Sequence, residues 1–260
     1  ANSTEFGDVN EDGIISGLME ELTTESGFSP IGTEEVPFEG IFNGEGYELN
    51  NIYINRTSNY VALFGYIKYG SVKDLTVSGE VHYKKIDQSY DRAKGIAGLI
   101  AYIENGKEIT NCVSNVNLDE ANCEVLAGIV AIVSSCEDIN GCINNGVLNS
   151  GNSVGGIVGI IHDYGDASYK KNNITNCINN GNITNGSYCG GIIGDGTYSF
   201  GSELYSQTEV YIENCNNYGN IKGYTVGGIS GKMGANYNII NCKNTADISG
   251  SNTGGLIGLI

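Results

Sequence analysis

In 260 residues the chain carries 39 glycines, 33 asparagines, 17 tyrosines, two prolines and no tryptophan, a bias that ordinary enzymes seldom show. Thirteen basic residues against 30 acidic ones leave a formal charge of −17, so phosphate backbones and anionic membrane surfaces are repelled and nucleic acid is excluded as a partner. No apolar run approaches the roughly 18 residues a membrane span needs, so this segment is expected to insert into no membrane.

Residues 1–27 read as an acidic N-terminal capping segment and residues 28–260 as one repeat domain. Within the cap, Asp8, Asn10 and Asp12 place oxygen ligands at alternate positions ahead of Gly13, as the start of an EF-hand or dockerin calcium loop does. The twelfth position, where a bidentate carboxylate belongs, is Met19. An acidic cap without metal and a Ca2+ site held by Asp8, Asn10 and Asp12 therefore stand side by side. Beyond Pro30 and Pro37 every residue keeps its backbone donor, as long hydrogen-bonded ladders require.

A repeat begins with Leu49, Ile52 and Ile54 and recurs at Val72, Leu75, Val77, Gly79 and Val81. Five further copies align without gaps. Ile109, Ile139, Ile174, Ile212 and Ile239 fill one position, and Cys112, Cys142, Cys177, Cys215 and Cys242 fall three residues later. Two residues on come Ser114, Asn144, Asn179, Asn217 and Asn244, and Leu118, Leu148, Ile183, Ile221 and Ile248 close each copy. A second strand of the form small-small-aliphatic-x-Gly precedes the copies, as in Gly155-Gly156-Ile157-Val158-Gly159 and Gly227-Gly228-Ile229-Ser230-Gly231. From the cysteine onward the buried set has period two, whereas the isoleucine lies three residues before it, so the chain must bend between them. Asn111, Asn176, Asn214, Asn241 and Gly141 occupy that bend and suit a left-handed backbone.

A unit this short cannot bury its apolar face alone, so the copies must stack. The expected fold is all-β, a right-handed parallel β-helix of about seven coils with two or three short strands in each. Gly254 to Ile260 supply one strand of a further coil, so the segment reads as cut from something longer, with an open end prone to association.

The opening Phe28-Ser29-Pro30-Ile31-Gly32 and Pro37-Phe38-Glu39-Gly40-Ile41-Phe42-Asn43-Gly44-Glu45-Gly46-Tyr47, followed by these repeats, resembles the GLUG-repeat family of bacterial cell-surface proteins over about residues 28–260. The resemblance implies bacterial origin, a β-helix, a secreted or cell-surface location, and a place in large adhesins or beside IgA-peptidase domains. It does not imply catalysis, because such repeats accompany the peptidase without its chemistry.

Eight cysteines raise disulfide and metal readings. In-register stacking keeps Cβ atoms farther apart than the usual 3.8 Å or so of a disulfide, which favours a ladder of free thiols over bridges. Cys189 matches the aliphatic slot of Val154 and Val226; Cys123 and Cys136 fall outside the pattern, where a bridge between them stays open. Without a CxxC pair, and with His82 and His162 as the two histidines, structural zinc has no support. His82, next to strand residue Val81, reads as a solvated edge residue.

Insertion length carries the functional expectation. Eleven residues separate Gly98 from Ile109, Gly128 from Ile139 and Gly228 from Ile239, but 18 separate Gly156 from Ile174 and 21 separate Gly191 from Ile212. The long loops 160–173 and 195–211 leave adjacent coils at one corner, where solenoids usually place binding surfaces. Asp163, Tyr164, Asp166, Tyr169, Asp195, Tyr198, Phe200, Glu203 and Tyr205 are the candidate binding residues, with aromatics to stack on a glycan or grip a host or bacterial surface protein. Their mutual packing as a lid is the structural alternative. A non-catalytic adhesin or spacer is the first reading. A carbohydrate-active β-helix, glycosidase or lyase, is the second, and a passive accessory domain of a surface protease the third.

Overall fold

The computed structural model describes residues 26–85, 92–120, 123–162, 170–198, 208–234 and 236–260. They form a parallel β-helix, and every strand pairing between coils is parallel. One coil gives the plan. Cys123–Ala127 lies in the first sheet, a corner at Gly128 turns the chain into Val130–Val133 of the second, Cys136–Asn140 occupies the third and Ile143–Asn144 the fourth. Leu148–Asn149 then re-enters the first sheet one coil further on. The second, third and fourth sheets each hold seven strands in chain order, as about seven coils require.

Each coil therefore has four faces where two or three strands were expected. The extra face arises at the bend between isoleucine and cysteine: the isoleucine belongs to the third sheet, and the cysteine stands just before the fourth-sheet strand. Asn111, Asn176, Asn214 and Asn241 stand there at φ between 53° and 55°, Gly141 at 66°, and Asp74 plays the same part in the cysteine-free coil at 53°. Asn and Asp tolerate this left-handed conformation because a short polar side chain can bond locally.

The predicted stack is in register: Ile109 pairs with Ile139, Ile139 with Ile174, Ile174 with Ile212 and Ile212 with Ile239. All are fully buried except Ile239, which is half-buried in the last coil. The first coil departs from the expected frame. Phe42, not Leu49, stands opposite Val72, while Leu49 pairs with Val77 and Ile52 with Gly79 across a register shift. Two left-handed residues, Glu45 and Gly46, make an extra turn before the strand, and Asn51 at φ 60° inserts a bulge. This turn moves the frame by several residues. Phe28 is buried at this end, and Phe38 and Phe42 pack on Phe64 with ring centroids 5.5 and 5.3 Å away.

Inside the cylinder the asparagine position forms a buried ladder. Asn144 Nδ2 donates to Asn179 Oδ1 at 2.8 Å, Asn179 to Asn217 at 2.7 Å and Asn217 to Asn244 at 2.8 Å. Each Nδ2 also donates to the carbonyl two residues ahead, as Asn179 does to Gly181 at 2.9 Å. The ladder explains the second small residue of each corner. A Cβ on Gly128, Gly156, Gly191 or Gly228 would overlap the asparagine side chain and a carbonyl of the following coil.

A second apolar cluster lies apart from this core. Val125 and Ala127 belong to it while Leu126 between them belongs to the main core, so the cluster covers the other face of the first sheet. It gathers Tyr66, Tyr102, Ile132 and Ile160 from successive strands of the second sheet, with Tyr60 packed against them.

Candidate functional site

The two long connections leave the second sheet after Val158–His162 and Ile193–Tyr198 and rejoin the third at Lys170–Thr175 and Thr208–Glu213. Their roots are strand-paired. Val158 stands opposite Ile193, Ile160 opposite Asp195 and, past a bulge, His162 opposite Tyr198. The returning strands pair over six residues from Lys170–Thr208 to Thr175–Glu213. The excursions thus start from neighbouring coils at one corner, as the sequence spacing requires. They are narrower than expected: residues 160–162, 170–173, 195–198 and 208–211 continue the ladders, because parallel partners on the adjacent coil satisfy their backbone groups.

Asp163, Tyr164, Asp166, Tyr169, Phe200, Glu203 and Tyr205 lie outside the described residues, as do Asp8, Asn10 and Asp12. Tyr198 ends a strand. Asp195 is 3% exposed, with Lys232 Nζ 3.8 Å from its Oδ2. The same ammonium sits 5.2 Å from the centre of the Tyr188 ring. Lys171 Nζ lies 4.5 Å over Tyr211, whose hydroxyl donates to Glu209 Oε2 at 3.1 Å; the neighbouring carboxylate holds the Tyr211 hydroxyl above its ordinary pKa.

The sequence reading missed a column three residues after the aliphatic of each small-small-aliphatic-x-Gly segment. Tyr66, Tyr102, Ile132, Ile160, Asp195, Lys232 and Leu259 succeed one another there in register. Reading the repeat three residues past the aliphatic would have exposed it. At its upper end Tyr66 and Tyr102 stack at 4.5 Å and 17°, and Tyr60 packs on both at 5.6 and 5.1 Å. Tyr66 Oη donates to Glu104 Oε2 at 2.8 Å, and Lys68 Nζ lies 3.0 Å from Glu104 Oε1. The column passes from apolar to charged towards the long connections.

His82 is held, not merely solvated. Its Nδ1 lies 3.0 Å from Glu120 Oε1 and its Nε2 3.4 Å from Glu80 Oε2. Burial raises the Glu120 carboxyl above its ordinary range, against the opposing pull of His82.

All eight cysteines are free thiols, Cys123 and Cys136 included. The ladder thiols face carbonyls of the isoleucine position one coil back: Cys142 Sγ is 3.4 Å from Ile109 O, Cys215 3.4 Å from Ile174 O and Cys242 3.3 Å from Ile212 O. Burial pushes the Cys123 and Cys189 thiols up to about 12 and Cys136 up as well. These three thiols are poor nucleophiles and metal ligands. Among the described residues no group of three or more His, Cys, Asp or Glu side chains could hold a metal ion. No helix among them is long and apolar enough to cross a membrane.

No protein-family model matches the chain. A 56-residue stretch is 45% identical to a "Putative Gly-rich membrane protein" of Evansella cellulosilytica; it spans 21% of this chain and 6% of that protein's length. Among solved structures, a "putative immunoglobulin A1 protease" from Bacteroides ovatus superposes with a TM-score of 0.52 at 17% identity, covering 88% of this chain and 67% of that one. That likeness is one of fold.

Proposed function

We propose that the chain is a non-catalytic β-helix segment of a bacterial secreted or cell-surface protein of the GLUG-repeat type, acting as an adhesin that binds glycan or a surface protein through the corner of residues 160–173 and 195–211. The observation that carries this reading is the pair of long connections rooted side by side on in-register strands. Neighbouring coils are only about 4.8 Å apart, so the two connections leave and rejoin the sheets side by side. The Gly-rich bacterial relative supports a surface setting, and the "putative immunoglobulin A1 protease" supports the β-helix fold. The repeats supply an extended, rigid scaffold, and binding is left to the corner.

The test is a glycan and host-protein array probed with the chain and with a variant carrying Tyr164→Ala, Tyr169→Ala, Tyr198→Ala and Tyr205→Ala. Binding of at least one array ligand is expected to disappear in the variant while thermal stability stays nearly constant. A loss of several kcal/mol in stability, as removal of packed aromatics produces, would show the tyrosines to be a lid on the core and defeat the reading.

A further inference from the structure

A cleft of about 460 Å³ opens where residues 29–35 cross the corner at residues 56–60. It lies at the opposite end of the described repeats from the last coils and does not involve the long connections, so a ligand held there is independent of the adhesin reading. Its volume falls in the range of small-ligand sites, roughly 300–1,000 Å³. Glu34, Glu35, Arg56, Ser58, Asn59 and Tyr60 are among its lining residues.

The walls are preset. Arg56 Nε donates to Phe28 O at 3.2 Å and Nη2 donates to Gly27 O, which fixes the guanidinium. Ser58 Oγ donates to Tyr60 O at 3.0 Å. Beneath, the next coil holds the corner in place: Lys84 N donates to Arg56 O at 2.8 Å, and Lys94 N and Gly95 N donate to Asn59 O at 2.8 and 3.0 Å. Tyr60 is braced by Tyr66 and Tyr102, with Lys94 Nζ 5.8 Å from its ring centre.

The charges also select. Arg56 lines the cleft with two exposed carboxylates, Glu34 and Glu35, and Lys94 lies outside the lining, near Tyr60, so both signs of charge meet in the cleft on a molecule whose formal charge is −17. An anion meets the two carboxylates and a cation meets the guanidinium. A neutral ligand whose groups each donate and accept meets no penalty. Sugar hydroxyls have that property, and a braced aromatic ring beside carboxylate, amide and guanidinium groups complements a pyranose. We propose that this cleft binds one or two rings of a neutral oligosaccharide.

The test is a titration of the 15N-labelled chain, followed by its amide resonances, with lactose, maltose and N,N′-diacetylchitobiose, and with glucuronate and glucosamine as charged controls. Saturable shifts at Glu34, Glu35, Ser58 and Asn59 are expected with at least one neutral disaccharide. Binding should weaken at least about tenfold in the Glu34→Gln/Glu35→Gln double variant, since hydrogen bonds to charged groups contribute that much. Both positions are exposed, so the variant should melt with the parent. The four-tyrosine variant of the long connections should bind as the parent does, which separates failure here from failure of the adhesin reading. No saturable shift with any neutral disaccharide, equal binding of glucuronate, or an unaffected double variant overturns the proposal.

Discussion

Asn179 is completely buried, donates to Asn217 Oδ1 and Gly181 O, and accepts from Asn144 Nδ2. Removing its amide strands the neighbours' polar atoms in a site water cannot reach, so the loss exceeds one ordinary hydrogen bond. Asn179→Ala should lower the unfolding free energy by about 3 kcal/mol in urea titrations; a change under about 0.5 kcal/mol would mean the ladder is not cooperative. Gly156→Ala should cost as much by a different route, because its new Cβ would overlap Asn179 and the Gly191 carbonyl. Glu120 makes a pH prediction. Its folded pKa is raised by burial, so the folded state holds the proton more tightly than the unfolded chain does. The favourable contribution is full below the unfolded value and is lost as pH rises through the folded one. Relative to Glu120→Gln, the wild type should therefore lose stability as pH climbs from the ordinary carboxylate range through the raised folded value. A stability difference independent of pH, measured by denaturant unfolding, would remove Glu120 as its source.

Among the elements, the cysteine ladder was legible from spacing alone: five thiols at one repeat position imply stacking, and stacking implies parallel Cβ vectors that resist bridging. Thiol quantification in unfolded protein without reductant should return at least five per chain, whereas zero or one would mean an oxidised ladder. In the folded protein Cys242, the half-buried member, should be alkylated ahead of Cys142 and Cys177; simultaneous reaction of all three would require global opening. The first coil was not legible. Leu49, Ile52 and Ile54 mimic the repeat by composition, but the turn at Glu45 and Gly46 and the bulge at Asn51 reset their partners. Apolar residues two or three apart cannot report such an insertion, because register follows backbone geometry as well as pattern.

For the whole molecule, a formal charge of −17 makes self-repulsion a general destabilising field. Raising salt from about 0.02 to 0.2 M shortens the screening length from roughly 20 Å to under 10 Å. The melting temperature should rise accordingly. A flat or falling response would show that local ion pairs such as Lys68–Glu104 and Lys232–Asp195 outweigh the net field.

The sequence by itself determined the stacking, the parallel pairing, the isoleucine and cysteine columns and the left-handed asparagine corners, because each repeats at a fixed offset and a periodic chain buries its apolar residues in only one register. Tertiary structure alone decided that each coil has four faces, that the asparagines bond along the axis, that Tyr60, Tyr66 and Tyr102 form a cluster outside the cylinder, and that residues 29–35 close a cleft against residues 56–60. Those features join residues tens of positions apart through non-repeating segments or through faces whose identity changes from coil to coil. Periodicity carries no information about them, since their energetics come from which side chains meet in space.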